Sequence, residues 1–121
     1  MQNEVLDLQK MKEFFRFFAK ERDWESFHNP KNLSMALVVE ASELMEIFQW
    51  LTEVQSLHIK NNPERFQAVK EEVADVFIYL LRLVDCLGID LNDAFWEKME
   101  KNRKKHPPEK CRELAKQLKG F

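Results

Sequence analysis

The sequence predicts an all-α protein, a four-helix bundle protomer, and three observations carry that expectation. Two Gly and four Pro in 121 residues leave little of the turn chemistry an all-β chain needs. Leu, Glu, Lys, Met and Phe dominate, a composition that favours helices. Four apolar-periodic stretches are joined by short connections, the pattern of a helix bundle. With 45% hydrophobic residues, ten Phe and three Trp, the chain can build a core. It reads as one domain over 1–121, with a core over 4–104 and a basic tail over 105–121.

Val5 to Arg22 sets Leu8, Met11, Phe14, Phe15 and Phe18 on one face, an amphipathic first helix. DWESFHNPKN breaks that period and holds Trp24, Phe27 and His28 in a loop. Asn29-Pro30 then forms a start signal, with Asn as cap and Pro at the first helical position. The second helix is expected to run to about Leu51, and Thr52 to Asn62 to be a polar connection. Asn62-Pro63 repeats the signal for a third helix to Leu87, which Gly88 is placed to stop. Asp90 caps a fourth helix reaching about Lys104, and His106-Pro107-Pro108 ends it. CRELAKQLKGF is at most a short basic terminal helix.

The third helix is apolar nearly all round. Val73, Val76, Phe77, Leu80, Leu81, Val84 and Leu87 form one face, and Ala74 and Ile78 extend it to the other side. A protomer of this size struggles to bury such a helix, which argues for a subunit interface, in a dimer or a tetramer. Its polar exceptions, Glu72, Asp75, Tyr79 and Arg82, fall on one stripe. Phe14, Phe15, Phe18, Phe48, Phe77 and Phe95 are expected in the core.

Several classes are disfavoured. The first residues, MQNEVLDLQK, are polar and acidic, unlike a signal peptide, and no apolar run approaches the length of a membrane span. Cys86 and Cys111 stand in no metal spacing and read as reduced thiols of a cytoplasmic protein. The net charge is −2, but Glu97 to Phe121 carries nine Lys/Arg against four Glu, or +5, which leaves −7 for the rest. That basic patch lacks interleaved aromatics, which argues against nucleic acid as a partner.

Two helices carry close carboxylates among apolar neighbours. LSMALVVEASELMEIFQWL contains Glu40, Glu43 and Glu46 at three-residue spacing, and EEVADVFIYLLRLV contains Glu72 and Asp75. On a helix such spacing holds side chains on one surface. Acids at this spacing often mark a solvated face, but the apolar flanks argue for partial burial here. Buried carboxylates must be paired, protonated or bound to metal, and Arg82 is the only basic residue near. Oxygen ligands without His or Cys select a hard cation, Mg²⁺ or Mn²⁺, over Zn²⁺. A di-iron bundle would need Glu-x-x-His, which neither stretch has. Mg²⁺ held by carboxylates commonly shares its shell with a phosphate, so a polyphosphate substrate follows.

These residues resemble a known family. E-x-x-E on one helix and E-x-x-D on the next is similar to the pattern of the all-α nucleoside triphosphate pyrophosphohydrolases, the MazG-like group. FAKERDWESFHNPKNLSMALVVEASELMEIFQW, EEVADVFIYL and KMEKNRKKHP resemble its dCTP pyrophosphatase branch, over roughly residues 14 to 108. The resemblance implies an oligomeric helical bundle that cleaves a nucleoside triphosphate to monophosphate and pyrophosphate with Mg²⁺. By position it implies Glu40, Glu43, Glu72 and Asp75 as metal ligands. It implies Trp24, Glu25, Ser26, Phe27, His28, Trp50 and Tyr79 as the lining of the nucleotide pocket. Phe15 departs from the branch's pattern, which has histidine there.

Glu46, one turn beyond Glu43, is a candidate general base or second-metal ligand, and equally a plain surface residue. Trp50 lies two turns beyond Glu43 on the same face, where it can shelve a base. Lys98, Asn102 and Arg103 are candidates to reach the phosphates, from the same or a neighbouring subunit. The competing reading is a non-catalytic assembly protein with a structural cation. The aromatic residues separate the two, because a structural cation needs no pocket the size of a base.

Overall fold

The computed structural model describes residues 5–120, and every regular element among them is helical. The first four residues and Phe121, and with them the outer limits of the expected core and tail, lie outside the described residues. Among the described residues six α-helices replace the expected four. α1 spans Leu8–Glu21, starting later than Val5 because the Asp7 side chain accepts from the Lys10 backbone N–H and sets the cap. After α1, Asp23 turns the chain at φ 54°, in the left-handed region that Asp tolerates better than most residues. A 3-10 turn, Glu25–Phe27, follows.

α2 spans Pro30–Phe48, with Asn29 accepting from the Asn32 N–H and Pro at the start. It stops three residues short of Leu51. The connection expected to be irregular instead holds α3, Glu53–Leu57, and a 3-10 turn, Ile59–Asn61. Thr52 explains α3: its hydroxyl accepts from the Gln55 N–H while the Gln55 side chain accepts from the Thr52 N–H, a complete capping box. α4 spans Pro63–Leu87, opened by Asn62 and closed by Gly88 at φ 64°, where a residue without Cβ is favoured.

α5 spans Leu91–Lys105 behind Asp90 as its cap. Pro107 is extended and Pro108 begins α6, Pro108–Lys119, so the terminal segment is a full twelve-residue helix. The two prolines end one helix and start the next, since proline suits a first turn. The chain divides into two compact units, one ending at Gly88 and the other starting at Ile89.

In the first unit α2 packs along α4, with α1 also against α4. α2 and α4 run antiparallel: His28, just before α2, bonds Arg82, Glu40 lies near Glu72, and Trp50, just past α2, lines one hollow with Arg65. Only Ala19, Leu33, Leu81 and Val84 are buried apolar residues among those described. The phenylalanines therefore do not form the expected core. Phe15, Phe18, Phe48 and Phe77 are half-buried, whereas Phe14 and Phe95 are 70% and 53% exposed. The physical reason lies in the geometry, because thin helix pairs leave most of each cylinder uncovered. An apolar groove of about 610 Å³ runs between α1 and α4, lined by Met11, Phe14, Phe15, Phe18, Phe77 and Ile78 among others.

Candidate metal centre

Midway along the α2–α4 pair, Glu40 and Glu43 of α2 meet Glu72 of α4. One carboxylate oxygen from each lies within 4.8 Å of the others. The helix period puts Glu40 and Glu43 on one face, and the antiparallel register brings Glu72 opposite. Glu40 Oε2 and Glu72 Oε2 are buried without any hydrogen-bond partner, a costly state for a carboxylate. Burial and the neighbouring Glu43 carboxylate push the Glu40 carboxyl up to about 7. Glu72 is raised as well, by burial first and then by Glu43. Asp75 stands outside the tight trio, but its charge raises Glu40, Glu72 and Tyr79.

A cation accounts for all of these strains at once. It would supply the missing partner for both orphan oxygens and relieve the repulsion among the acids. The donors are all carboxylate oxygens, so the residues fit a hard divalent ion. Among the described residues no other group of acids, histidines or cysteines has metal-ligand spacing.

Tyr79 is half-buried one turn beyond Asp75, and burial together with Glu40 and Asp75 holds its hydroxyl protonated. Glu46 is exposed and outside the trio. It lines a separate hollow of about 440 Å³ with Ile47, Trp50, Glu64, Arg65 and Ala68. Trp50, just past α2, is 87% exposed.

The remaining aromatic candidates gather at the other end. His28 stacks on Phe15 with ring centres 5.7 Å apart, and Trp24 meets His28 edge-on at 6.1 Å. Phe18 closes the cluster against Trp24. Glu25, Ser26 and Phe27 form the exposed 3-10 turn beside it. The 19 residues of α2 separate His28 from Trp50, a rise of about 28 Å. One protomer thus splits the expected pocket, with Trp24 and His28 at one end, Trp50 at the other and Tyr79 beside the carboxylates between them. In the second unit, Lys98 is exposed, Asn102 is half-buried, and Arg103 is paired with Glu100 at 2.6 and 3.0 Å.

Comparison with known proteins decides the family. A model of the MazG-like family matches residues 35–121. The chain belongs to the MazG-like family. Over 90 residues this MazG-like chain is 46% identical to human dCTP pyrophosphatase 1 and 44% identical to the rat protein of the same name. Each match covers 74% of the chain and 53% of the relative, so the chain spans about half the length of these curated relatives. A solved pyrophosphatase from Archaeoglobus fulgidus DSM 4304 is 36% identical, with a TM-score of 0.75 over 88% of this chain and 98% of that one.

One group of residues escaped the sequence reading. Arg16 of α1, through Nε and Nη2, donates to both carboxylate oxygens of Asp85, the Nε bond being 2.7 Å. Arg82 joins them, its Nη1 donating to Asp85 Oδ2 at 3.3 Å. The cues were a lone cation inside FFRFF and the continuation of the Glu72–Asp75–Tyr79–Arg82 stripe to Asp85.

Proposed function

We propose that this MazG-like chain is a nucleoside triphosphate pyrophosphohydrolase that uses Mg²⁺, with Mn²⁺ as substitute. Its substrate is dCTP or a 5-substituted dCTP, and its products are the monophosphate and pyrophosphate. The role is sanitation of the nucleotide pool in the cytoplasm. The observation that carries this reading is the trio Glu40–Glu43–Glu72 with its two orphan buried oxygens. The names of the human and rat relatives, dCTP pyrophosphatase 1, support the choice of substrate. Two free cysteines, and no described helix long and apolar enough to cross a membrane, agree with the location.

Glu40, Glu43, Glu72 and Asp75 hold the ion in this reading. When bound, the ion neutralises phosphate charge and polarises the phosphorus under attack. Water adds to phosphorus and the bridging oxygen leaves with pyrophosphate. Glu46, exposed one turn past Glu43, is the carboxylate next in line to take the water's proton. Tyr79, kept protonated, offers a hydroxyl donor beside the acids.

The base stacks on an aromatic end, and a homo-oligomer brings the two ends together. We place a homo-oligomer here, a tetramer built from dimers in this reading, and the exposed Phe14, Phe17, Val73 and Val38 of one protomer support assembly as such. In that assembly Lys98, Asn102 and Arg103 reach the phosphates from a neighbouring subunit. Phe15 stands where the branch has histidine, so selectivity among pyrimidines is looser than in the relatives.

The test is a product assay over dCTP, 5-methyl-dCTP, dTTP, dUTP, dATP and dGTP, with and without Mg²⁺. Pyrophosphate release from cytosine nucleotides, abolished by chelation, is expected. Orthophosphate with a nucleoside diphosphate would move the chain to another reaction class. A purine preference would refute the pocket and leave the metal centre standing.

A further inference from the structure

His28 is oriented by a charged relay that plays no part in the metal centre. Arg82 Nε–H donates to His28 Nδ1 at 3.3 Å, and Arg82 is itself held by Asp85, which Arg16 grips with two bonds. A nitrogen that accepts from guanidinium carries no proton. The ring proton must then sit on Nε2. Nε2 makes no hydrogen bond among the described residues and is not a buried orphan, so it faces solvent as a free donor. Phe15 stacks on one face of the ring, and Cys86 Sγ–H donates to the His28 carbonyl at 3.7 Å, which fixes the loop on α4.

We infer that Arg82, braced by Asp85 and Arg16, is a positioning residue that locks His28 as a neutral Nε2–H donor for the edge of a substrate base. The inference rests on the nucleotide reading above. Arg82 lies seven residues beyond Asp75 on α4, about 10 Å along the axis, a span suited to a base whose phosphates meet the acids.

The donor has a consequence for choice of base. Cytosine presents a bare N3, an acceptor, where thymine and uracil present N3–H. A fixed Nε2–H donor matches the first and opposes the second. A rotating or doubly protonated imidazole would lose part of that discrimination or carry a charge into the pocket. Arg82 prevents both, and the direction agrees with His28 being held below the ordinary imidazole range by burial and then by the Arg82 charge. The charged and titratable groups around this ring are Arg82, Asp85 and Cys86 of α4 and, beyond them, Arg16 and Lys12 of α1.

The test reads the tautomer directly. Two-bond proton–nitrogen spectra of the full chain with isotope-labelled histidine, assigned by His28→Gln, should show Nδ1 bare and Nε2 protonated. In Arg82→Met the tautomers should mix and the titration midpoint should rise, while Arg82→Lys, which keeps a donor and a charge, should restore the single tautomer. Asp85→Asn, which leaves Arg82 in place but unbraced, should mix the tautomers to a smaller extent. In kinetics, the ratio of kcat/KM for dCTP over dTTP should fall about tenfold in Arg82→Met, the worth of one hydrogen bond. The loss should appear in KM and recover in Arg82→Lys. A wild-type His28 protonated at Nδ1, spectra unchanged by Arg82→Met and Asp85→Asn, or an unchanged ratio would each overturn the inference. A wild-type protein that turns over no nucleotide overturns the parent reading instead, and the spectra still decide the tautomer on their own.

Discussion

Glu40 of α2 and Glu72 of α4 face each other with one oxygen apiece buried and unbonded, and Glu43 completes the trio. The fold crowds like charges together, so removal of charge from either side should stabilise it in the absence of an ion.

The first prediction concerns acidity without metal. The Glu40 carboxyl lies at about 7 against an ordinary 4.5, so the folded state binds a proton more tightly than the unfolded chain. Its contribution to stability is full below the ordinary value and is lost as pH rises through the folded one. With chelator present, the melting temperature should fall as pH rises from 5 to 8 within that window. Added Mg²⁺ or Mn²⁺ should reverse the slope and release protons on binding near neutrality. A flat profile under both conditions would exclude the strained trio.

Charge removal at the acids separates stability from turnover. Glu40→Gln should melt higher than wild type in chelator at pH 8, and so should Glu72→Gln. Both, together with Asp75→Asn, should lose activity by about 10²–10³-fold, the usual cost of deleting one electrostatic stabiliser of the reacting group. Calorimetry beside a pyrophosphate assay checks this, and full activity in Glu40→Gln and Asp75→Asn would disprove the ligand assignment.

Asp85 titrates in the opposite sense. The hydrogen bonds and charge of Arg16, with Arg82, hold its carboxyl below the ordinary range despite burial. The stability it contributes is present above the ordinary carboxylate value and is lost as pH falls through its folded value. Melting curves from pH 6 down to pH 2 should drop more steeply for wild type than for Asp85→Asn.

Trp50 should matter to substrate and not to folding. At 87% exposure, Trp50→Ala should change stability little. Loss of a stacking surface worth about 1–3 kcal/mol should raise KM well before kcat. Equal losses in both parameters would place Trp50 in the chemical step.

The uncovered apolar surface predicts assembly. Light scattering at micromolar concentration should give a dimer or tetramer, and Phe14→Glu, in the α1–α4 groove, should shift it towards smaller species. A wild-type protein that stays a soluble monomer would count against the shared pocket.

Most helix boundaries were legible because their caps are written in adjacent residues, as at Asn29-Pro30, Asn62-Pro63 and Gly88. α3 was not, since five residues show no period and only the Thr52–Gln55 pair marks them. α6 is longer than the short terminal helix that CRELAKQLKGF predicts, because the second of the paired prolines is also a start. Of the acids, the nearness of Glu40 to Glu43 was legible because local helical spacing puts them on one surface, whereas Asp75 and Glu46 stand outside the trio. The link from His28 to Arg82 joins residues 54 apart across a loop, and no local pattern encodes that contact. The separation of Trp50 from His28 was within reach of the sequence, since a helix from Pro30 to about Leu51 already places them at opposite ends.

The orphan oxygens of Glu40 and Glu72 also shape how this protein would respond to artificial evolution. Libraries screened for heat resistance in chelator should enrich apolar or amide replacements at these two positions, because each removes a penalty that the ion alone would repay. The survivors would be sturdier and inert. Screening in millimolar Mg²⁺ keeps the ion's binding energy in the folded state, and the acidic pair would then be retained by the same selection that otherwise discards it.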